Sequence, residues 1–335
     1  MPCAYWARVP HESQYVIWIN PTPEESKMSY PHFDDLLAAI APLPDIPVAV
    51  VDAAEEHVLR GACEAKKQSI IEPILIGDPD KIRHLLQQME ADSGTCPNFQ
   101  IVAADNPDDA AAKGVEMVLS GAAKALMKGH LHSDAFLHPI LAKLRTEKRL
   151  SHIFVTDISS YHKLLLITDA AINITPDLPT KAAILQNAID LAHILDVAHP
   201  KAAILSAVEV VNPAIVSTMD AACLSKMAER GQITDALVDG PLAFDNAISK
   251  ESAQIKGIRS EVAGDADILL VPDLVSGNIL AKDLEYLAGA TMAGIVMGAK
   301  VPVILTSRAD PARARLVSAA LAALIHYHKT GAHSE

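Results

Sequence analysis

The sequence predicts an α/β fold with two domains on mostly parallel sheets, and three observations support this. Half of the 335 residues are apolar but only 4% are aromatic, which suits strands that helices cover on both faces. Amphipathic segments such as 180–195 alternate with short apolar runs, as in doubly wound folds. The runs are too many for one ordinary domain, so two sheets are expected. They lie at 46–51, 73–76, 99–103, 124–127, 153–156, 164–167, 202–206, 236–238, 268–271, 294–297 and 303–305.

Domain boundaries follow from changes along the chain. Residues 1–30 hold both tryptophans and three of the six tyrosines, and we predict an irregular extension there with an edge strand at 16–19. The first α/β domain is placed at 31–150 together with 300–335, and the second at 151–299. The break follows the charged, weakly patterned stretch 144–150. Asp177, with Pro179 close behind, is the predicted N-cap of the helix at 180–195.

Charge and composition exclude several classes of protein. The net charge is −13 and no long Lys/Arg run exists, which argues against a nucleic-acid partner. The four cysteines show no CxxC spacing, so free thiols are expected rather than disulfides or a zinc site. No apolar stretch approaches the roughly 20 residues of a membrane span, and no signal peptide is evident. We therefore expect a cytoplasmic protein with no membrane partner and no metal.

The strongest local signal lies at 301–311, where a buried strand ends at Thr306 and a helix is predicted to begin at Asp310. A helix N-terminus offers unpaired N–H groups to a phosphate. Ser307 can donate one hydrogen bond and the Arg308 guanidinium two. The alternative is a helix cap followed by a surface arginine. Asp310, immediately before Pro311, is expected to be the N-cap, and a general-base role stays open.

A second strand end lies at 125–134. Lys128 and Gly129 sit where the strand gives way to a loop, and Ser133 lies near the next helix start. Gly129 lets the backbone approach a ligand closely. His130 and His132 suggest a metal, but an i,i+2 pair without a carboxylate partner favours loop histidines in solvent.

Two further segments carry polar residues after predicted strands. Asp239, Gly240 and Pro241 are predicted to form a sharp turn, and Asp245 to cap the following helix. The other segment is 267–282, in which Ser276-Gly277-Asn278 would supply donors at a helix start. Lys282 follows Asn278 by one turn on the same face. Taken alone, these patterns also fit an ordinary turn, a cap and a solvated lysine.

Motifs that the sequence lacks argue against several classes of enzyme. The sequence has no Gly-x-x-x-x-Gly-Lys-Ser/Thr loop and no Gly-x-Gly-x-x-Gly, which argues against a P-loop NTPase and the usual dinucleotide site. It also has no Gly-x-Ser-x-Gly elbow, so a covalent acyl-enzyme has no evident nucleophile.

In combination, the segments resemble the phosphate acetyl/butyryltransferase family over about residues 45–330. The motifs are LMKG, SHIFV, VDGPLAFDNAIS, ADILLVPDLVSGNILAK and VPVILTSRAD, in the family's order. The chain is most similar to the butyryltransferase-like branch, especially the acyltransferase half of bifunctional proteins that carry an enoyl-CoA hydratase domain. No hydratase domain fits in the first forty residues, so a stand-alone version is expected.

The resemblance implies two α/β/α sandwich domains with the active site in the cleft between them, as a homodimer. It implies the reaction acyl-CoA + phosphate ⇌ acyl phosphate + CoA in a ternary complex, with coenzyme A and phosphate as substrates and no permanently bound cofactor. Arg308 would bind the phosphoryl group and Ser307 would stabilise the oxyanion. Asn278 and Lys282 match the family's Gly-Asn-x-x-x-Lys element, which the resemblance places at the cleft. The residues after Arg308 depart from the acetyl branch, so the base does not transfer, and Asp310 is the nearest candidate.

Two other functions stay open on the residues alone. A metal-dependent decarboxylating dehydrogenase of similar fold would need clustered aspartates, for which Asp265, Asp267 and Asp273 are the candidates. A binding protein for CoA or acyl phosphate would keep the site without catalysis.

Overall fold

The computed structural model of the chain describes residues 30–93, 97–306 and 310–331. The predicted extension, apart from Tyr30, and its edge strand at 16–19 lie outside these residues. Ser307 and Arg308 also lie outside them. None of the helices in the described ranges is long and apolar enough to cross a bilayer.

All eleven predicted runs form strands, with ends that differ by a few residues. They are β1 (Ile46–Val51), β2 (Ile71–Gly77), β3 (Gln100–Ala103), β4 (Ala125–Lys128), β5 (Ser151–Asp157), β6 (Leu165–Thr168), β7 (Lys201–Leu205), β8 (Leu237–Leu242), β9 (Ile268–Leu270), β10 (Thr291–Met297) and β11 (Val303–Ile304).

Helices connect most of these strands. They are α1 (Phe33–Ile40), α2 (Glu56–Lys67), α3 (Pro79–Ser93), α4 (Pro107–Leu119), α5 (Ser133–Lys143), α6 (Leu178–Ile194), α7 (Val216–Glu229), α8 (Phe244–Ile248), α9 (Lys250–Ile255), α10 (Leu274–Tyr286) and α11 (Ala312–Thr330). The predicted cap of α6 is confirmed, since the Thr180 N–H donates to the Asp177 carboxylate at 3.0 Å.

The eleven strands form one sheet in the order β3-β2-β1-β4-β11-β10-β5-β6-β9-β7-β8. The strands β3-β2-β1-β4-β11 form one parallel block and β6-β9-β7-β8 a second. Between the blocks, β10 and β5 pair antiparallel with each other and with their neighbours. This confirms the predicted α/β class with mostly parallel strands. The expectation of two separate sheets is wrong, because β5 and β10 join the two blocks into one sheet.

The two faces of this sheet are packed differently. On one face, here called the lower face, a single apolar core runs under both blocks and includes Ile153 and Val155 of β5. On the opposite, upper face the core is divided. One cluster, with Val51 and Leu126, covers the first block, and a separate cluster with Leu269 covers the second. The division falls over β5 and β10, and we call it the cleft.

Candidate active site

The floor of the cleft is formed by β5, β10 and β11. Side chains alternate between the faces of a strand, so His152 and Phe154 point to the upper face because Ile153 and Val155 belong to the lower core. Leu305, one residue beyond β11, packs against the upper cluster of the first block, whereas Ile304 belongs to the lower core. Leu305, two residues before Ser307 in the sequence, therefore lies at the cleft floor.

The end of β4 lies beside the end of β11. Ile304 pairs with Met127, so β11 ends next to Lys128. Lys128 is only 5% exposed and lies on the same face as Leu126, the upper face. Ser133 is the first residue of α5, as predicted. Lys128, Ser133 and the end of β11 thus lie on one side of the cleft.

Gly129 is required by a close contact between strands. Its N–H donates to the Val51 carbonyl at 2.8 Å, and the next N–H, of His130, donates to the Asp52 carbonyl at 2.9 Å. A Cβ at Gly129 would lie 2.2 Å from the Asp52 oxygen. The sequence interpretation was approach to a ligand. The observed neighbour is the backbone that follows β1.

The two histidines of this segment do not form a metal centre. Both His130 and His132 are exposed. Within residues 30–93, 97–306 and 310–331, no group of three His, Cys, Asp or Glu side chains could hold a metal ion.

His152 is a polar residue of the cleft floor that sequence reasoning missed. It is fully buried, and its Nε2 lies 3.3 Å from the Leu305 carbonyl oxygen. A carbonyl only accepts, so Nε2 carries the proton. Burial lowers the pKa of His152, and the charge of Asp169 opposes this. The neutral imidazole thus holds the backbone at Leu305, just beyond the end of β11, through this hydrogen bond.

Asp169 organises the loop after β6. Its carboxylate accepts N–H bonds from Ala171, Ile172 and Asn173 at 2.9, 3.0 and 3.2 Å. The loop presents the Ala170 carbonyl, to which the Asn278 side chain donates at 3.3 Å. This contact ties the start of α10 to the end of β6.

Asn278 and Lys282 lie on α10, whose Ala281 packs in the upper cluster of the second block. They therefore lie across the cleft from Lys128. Lys282 Nζ lies 3.1 Å from Glu285 and 5.5 Å from the Tyr286 ring centroid. The helix begins earlier than predicted, with Asp273 as the N-cap, and the Ser276 N–H donates to the Asp273 carboxylate. That donor is used within the cap.

The predicted cap at Asp310 is wrong. Pro311 is the N-cap of α11 and the helix begins at Ala312, so Asp310 lies outside it. The charge of Asp310 acts instead on Arg315, in the first turn of α11. Arg315 Nη1 donates to Thr306 Oγ1 at 3.1 Å. Thr306 and Asp310, the described residues on either side of 307–309, thus share one arginine as neighbour.

The segment around Asp239 was also interpreted wrongly. Asp239, Gly240 and Pro241 lie inside β8 and form no turn. The strand is at the edge of the sheet, where proline is tolerated. It lies four strands from β5, about 19 Å at the usual spacing. Asp245 is not a cap either: Ala243 is the N-cap of α8, and Asp245 accepts from Ser252 Oγ at 2.6 Å.

The three aspartates considered for a metal-dependent dehydrogenase serve other purposes. Asp265 and Asp267 accept from Lys163 at 3.2 and 2.6 Å, and Asp265 also accepts from Lys201 at 2.6 Å. Burial would raise the pKa of Asp265, but Lys201 and Lys163 hold it at about 2. Asp273 caps α10. The dehydrogenase hypothesis therefore loses its metal ligands.

One sequence signal could have revealed Arg315. It is a charged residue in the part of α11 from Ala314 to Ile325, which is buried throughout and otherwise apolar except for Ser318. A lysine or arginine in that position is almost never buried without a partner. His152 and Asp169 gave no comparable signal, because their contacts come from distant strands.

Comparisons with known proteins agree with one another. The family model described as phosphate acetyl/butaryl transferase matches residues 97–323. The phosphate acetyltransferase of Rickettsia prowazekii is 50% identical over 305 residues, covering 90% of this chain and 86% of that protein. The phosphate butyryltransferase of Clostridium acetobutylicum is 44% identical over 285 residues, covering 84% and 94%. The crystal structure of a branched-chain phosphotransacylase from Enterococcus faecalis superposes with a TM-score of 0.72 at 29% identity, covering 84% and 99%. The chain therefore belongs to the phosphate acetyl/butaryl transferase family.

Proposed function

We propose that the protein is a phosphate acyltransferase that catalyses acyl-CoA + phosphate ⇌ acyl phosphate + CoA. The observation that carries this is the identity of 44–50% to acetyl- and butyryltransferases over most of both chains. Coenzyme A and phosphate are substrates, and no permanently bound cofactor is part of the proposal. The acyl group is a short one.

The proposed mechanism is direct transfer in a ternary complex. Starting from acyl phosphate, a base takes the proton of the CoA thiol and the thiolate sulfur attacks the acyl carbonyl carbon. The carbon–sulfur bond forms, the bond from that carbon to the phosphate oxygen breaks, and phosphate leaves. Ser307 stabilises the oxyanion, a contribution worth roughly 100- to 1,000-fold in rate. Arg308 binds the phosphoryl group through two parallel hydrogen bonds.

Asp310 is the candidate base. Asp310 lies two residues after Arg308 in the sequence and immediately before Pro311, the N-cap of α11, and this proximity to the Ser-Arg pair supports the assignment. Asp310→Asn is expected to lower kcat by roughly 100- to 10,000-fold and to remove the acidic limb of the pH–rate profile. Near-normal kcat with an unchanged profile would exclude Asp310 as the base.

The remaining candidates are assigned to substrate binding. Lys128, Gly129 and Ser133 on one side of the cleft, with Asn278 and Lys282 on the other, would enclose the phosphate and the CoA thiol. Thr306 is a substrate-binding candidate on the sequence, but its hydroxyl accepts from Arg315, so we assign it to the support of this side of the cleft. Asp239, Gly240 and Pro241 lie too far from β5 for the reacting atoms, so we assign them to a distant part of CoA. In this proposal the two sides of the cleft belong to the domains 31–150 with 300–335 and 151–299.

The test is formation of thioester from acyl phosphate and CoA, followed by its ultraviolet absorbance. Acyl phosphates from acetyl to hexanoyl should be compared. No thioester from any of them would refute the function and leave a CoA or acyl-phosphate binding protein. Arg308→Ala should abolish most of the activity without changing the melting temperature. Full activity in that variant would refute the site.

We further propose a cytoplasmic homodimer. Exposed apolar side chains on and beside α10 support the dimer: Ile174, Val275, Ile279, Tyr286 and Leu287. Ile279→Asp should shift the mass measured by light scattering from dimer toward monomer. Leu119→Asp, at an exposed position on α4, is the control. A dimer that persists in Ile279→Asp would show that α10 is not the interface.

A further inference from the structure

Arg315 is a charged residue buried beneath the candidate site. It is 3% exposed and lies in the first turn of α11, on the lower face of the sheet. Its Nη1 donates to Thr306 Oγ1 at 3.1 Å, a bond that fixes the last described residue before 307–309. A hydrogen bond from a charged donor in a buried site is stronger than one between neutral groups.

Two carboxylates offset the charge of this guanidinium. Burial lowers the pKa of Arg315, whereas the negative charges of Asp310 and Glu55 raise it. Glu55 is itself held in place, because its carboxylate accepts the Val58 N–H at 3.1 Å as the N-cap of α2. An arginine flanked by two carboxylates is poorly suited to bind a further anion. Its geometry suits it to hold neighbouring groups in position.

The aliphatic part of the Arg315 side chain packs against Gly61 of α2. A Cβ built at Gly61 would lie 2.8 Å from the Arg315 Cδ and 3.2 Å from its Cβ. Contacts below about 3 Å are repulsive, so any larger residue at Gly61 would displace the arginine. The three atoms nearest to that Cβ all belong to the Arg315 side chain. A substitution at Gly61 therefore perturbs Arg315 without changing a residue of the candidate site.

We propose that Arg315 is a positioning residue for phosphate binding, which holds Thr306 at the end of the strand that precedes Ser307 and Arg308 in the sequence. The proposal rests on the proposed function of that pair. It assigns Thr306 to the arginine rather than to direct contact with substrate. Arg315 acts through its neighbours and touches no reacting atom.

The test compares Arg315→Lys and Gly61→Ala with the control Arg313→Met. Arg313 lies half a turn away on α11, is exposed, and pairs with Asp34 at 2.7 Å. Arg315→Lys keeps the charge but loses the fork that reaches Thr306. We expect KM for phosphate to rise by about 10- to 100-fold, the range of a lost charged hydrogen bond, with a smaller change in KM for acyl-CoA. Gly61→Ala should change the same constant in the same direction, and Arg313→Met should not.

A second readout does not depend on activity. Trypsin cleavage after Arg308, followed by mass spectrometry of the native protein, reports how firmly this segment is held. Cleavage should be faster in Arg315→Lys and Gly61→Ala than in wild type or Arg313→Met. If wild type makes no thioester, the function fails, and the cleavage rates still decide the role of Arg315.

Unchanged KM for phosphate and unchanged cleavage in both folded variants would overturn the proposal. A lower melting temperature with normal kinetics would do the same, since it would show a purely structural role. If Arg315→Lys does not fold, Gly61→Ala and Thr306→Val decide by the same two criteria.

Discussion

Replacement of Gly129 by alanine tests how the cleft is built. The new Cβ would lie 2.2 Å from the Asp52 oxygen and 2.3 Å from the Val51 oxygen, against about 3.3 Å for an ordinary carbon–oxygen contact. The segment after β4 must therefore move by about 1 Å. That movement breaks the hydrogen bonds that the Gly129 and His130 N–H groups donate to the carbonyl oxygens of Val51 and Asp52. Two lost hydrogen bonds in a buried site cost about 2–4 kcal/mol.

The assay is thermal and urea unfolding together with steady-state kinetics. For a chain of 335 residues, a loss of 2–4 kcal/mol corresponds to a melting temperature lower by roughly 3–6 °C. Because Lys128 moves with its neighbour, kcat/KM should fall by about 10- to 100-fold. The control is Gly257→Ala, where φ is +68° and no atom lies within 4 Å of the new Cβ. It should cost about 1 kcal/mol of backbone strain with unchanged kinetics. Wild-type stability and kinetics in Gly129→Ala would refute the contact as the reason for glycine.

Three further predictions concern stability. Lys201 and Lys163 hold the pKa of Asp265 at about 2, below its ordinary 3.8. The Asp265 carboxylate therefore contributes at most about 2 kcal/mol to the free energy of unfolding above pH 4, and this contribution is lost as pH falls toward 2. Urea unfolding should therefore show the advantage of wild type over Asp265→Asn shrinking between pH 4 and 3, and a constant advantage would contradict this. Burial lowers the pKa of His152, so the unfolded chain binds the proton more readily and wild type should lose stability below about pH 6.5. His152→Gln should lose less stability over the same range, and parallel curves would count against the assignment. Asp177→Ala should cost about 1 kcal/mol in urea unfolding and Asp177→Asn much less, and equal losses would argue against capping.

The strands were predictable because they are buried on both faces. A run such as Ile46–Val51 has almost no exposed residue, and this continuous apolarity distinguishes it from the helices around it. The single sheet was not predictable. It depends on the antiparallel pairing of β5 with β10, in which Ser151 lies opposite Met297, far away in the sequence. Local patterns carry no information on which strands pair across such a distance.

Caps were predicted well where no tertiary partner competes. Asp177 is exposed to solvent at the start of α6 and caps it as its type suggests. Asp245 and Asp310 have the same local signal but face other partners, Ser252 in one case and Arg315 in the other. A carboxylate near a buried guanidinium gains more from that charge than from one N–H at a helix end. At Asp310 the cap signal therefore fails beside a buried charge, whereas at Asp245 it fails because the Ser252 hydroxyl binds the carboxylate.

The lower face connects the cleft floor to a rigid helix. Ser318, three residues after Arg315 and so on the same side of α11, accepts the Gly294 N–H of β10 at 3.0 Å. Arg315 binds Thr306 at the end of β11, so one side of α11 holds both strands that lie side by side under the cleft. This side belongs to the core that continues under both blocks, whereas the upper clusters are separate. Sites held by packed helices and strands are positioned more accurately than sites on loops. The ends of β10 and β11 under the cleft are therefore held by the continuous lower core. The two separate upper clusters form the sides of the cleft.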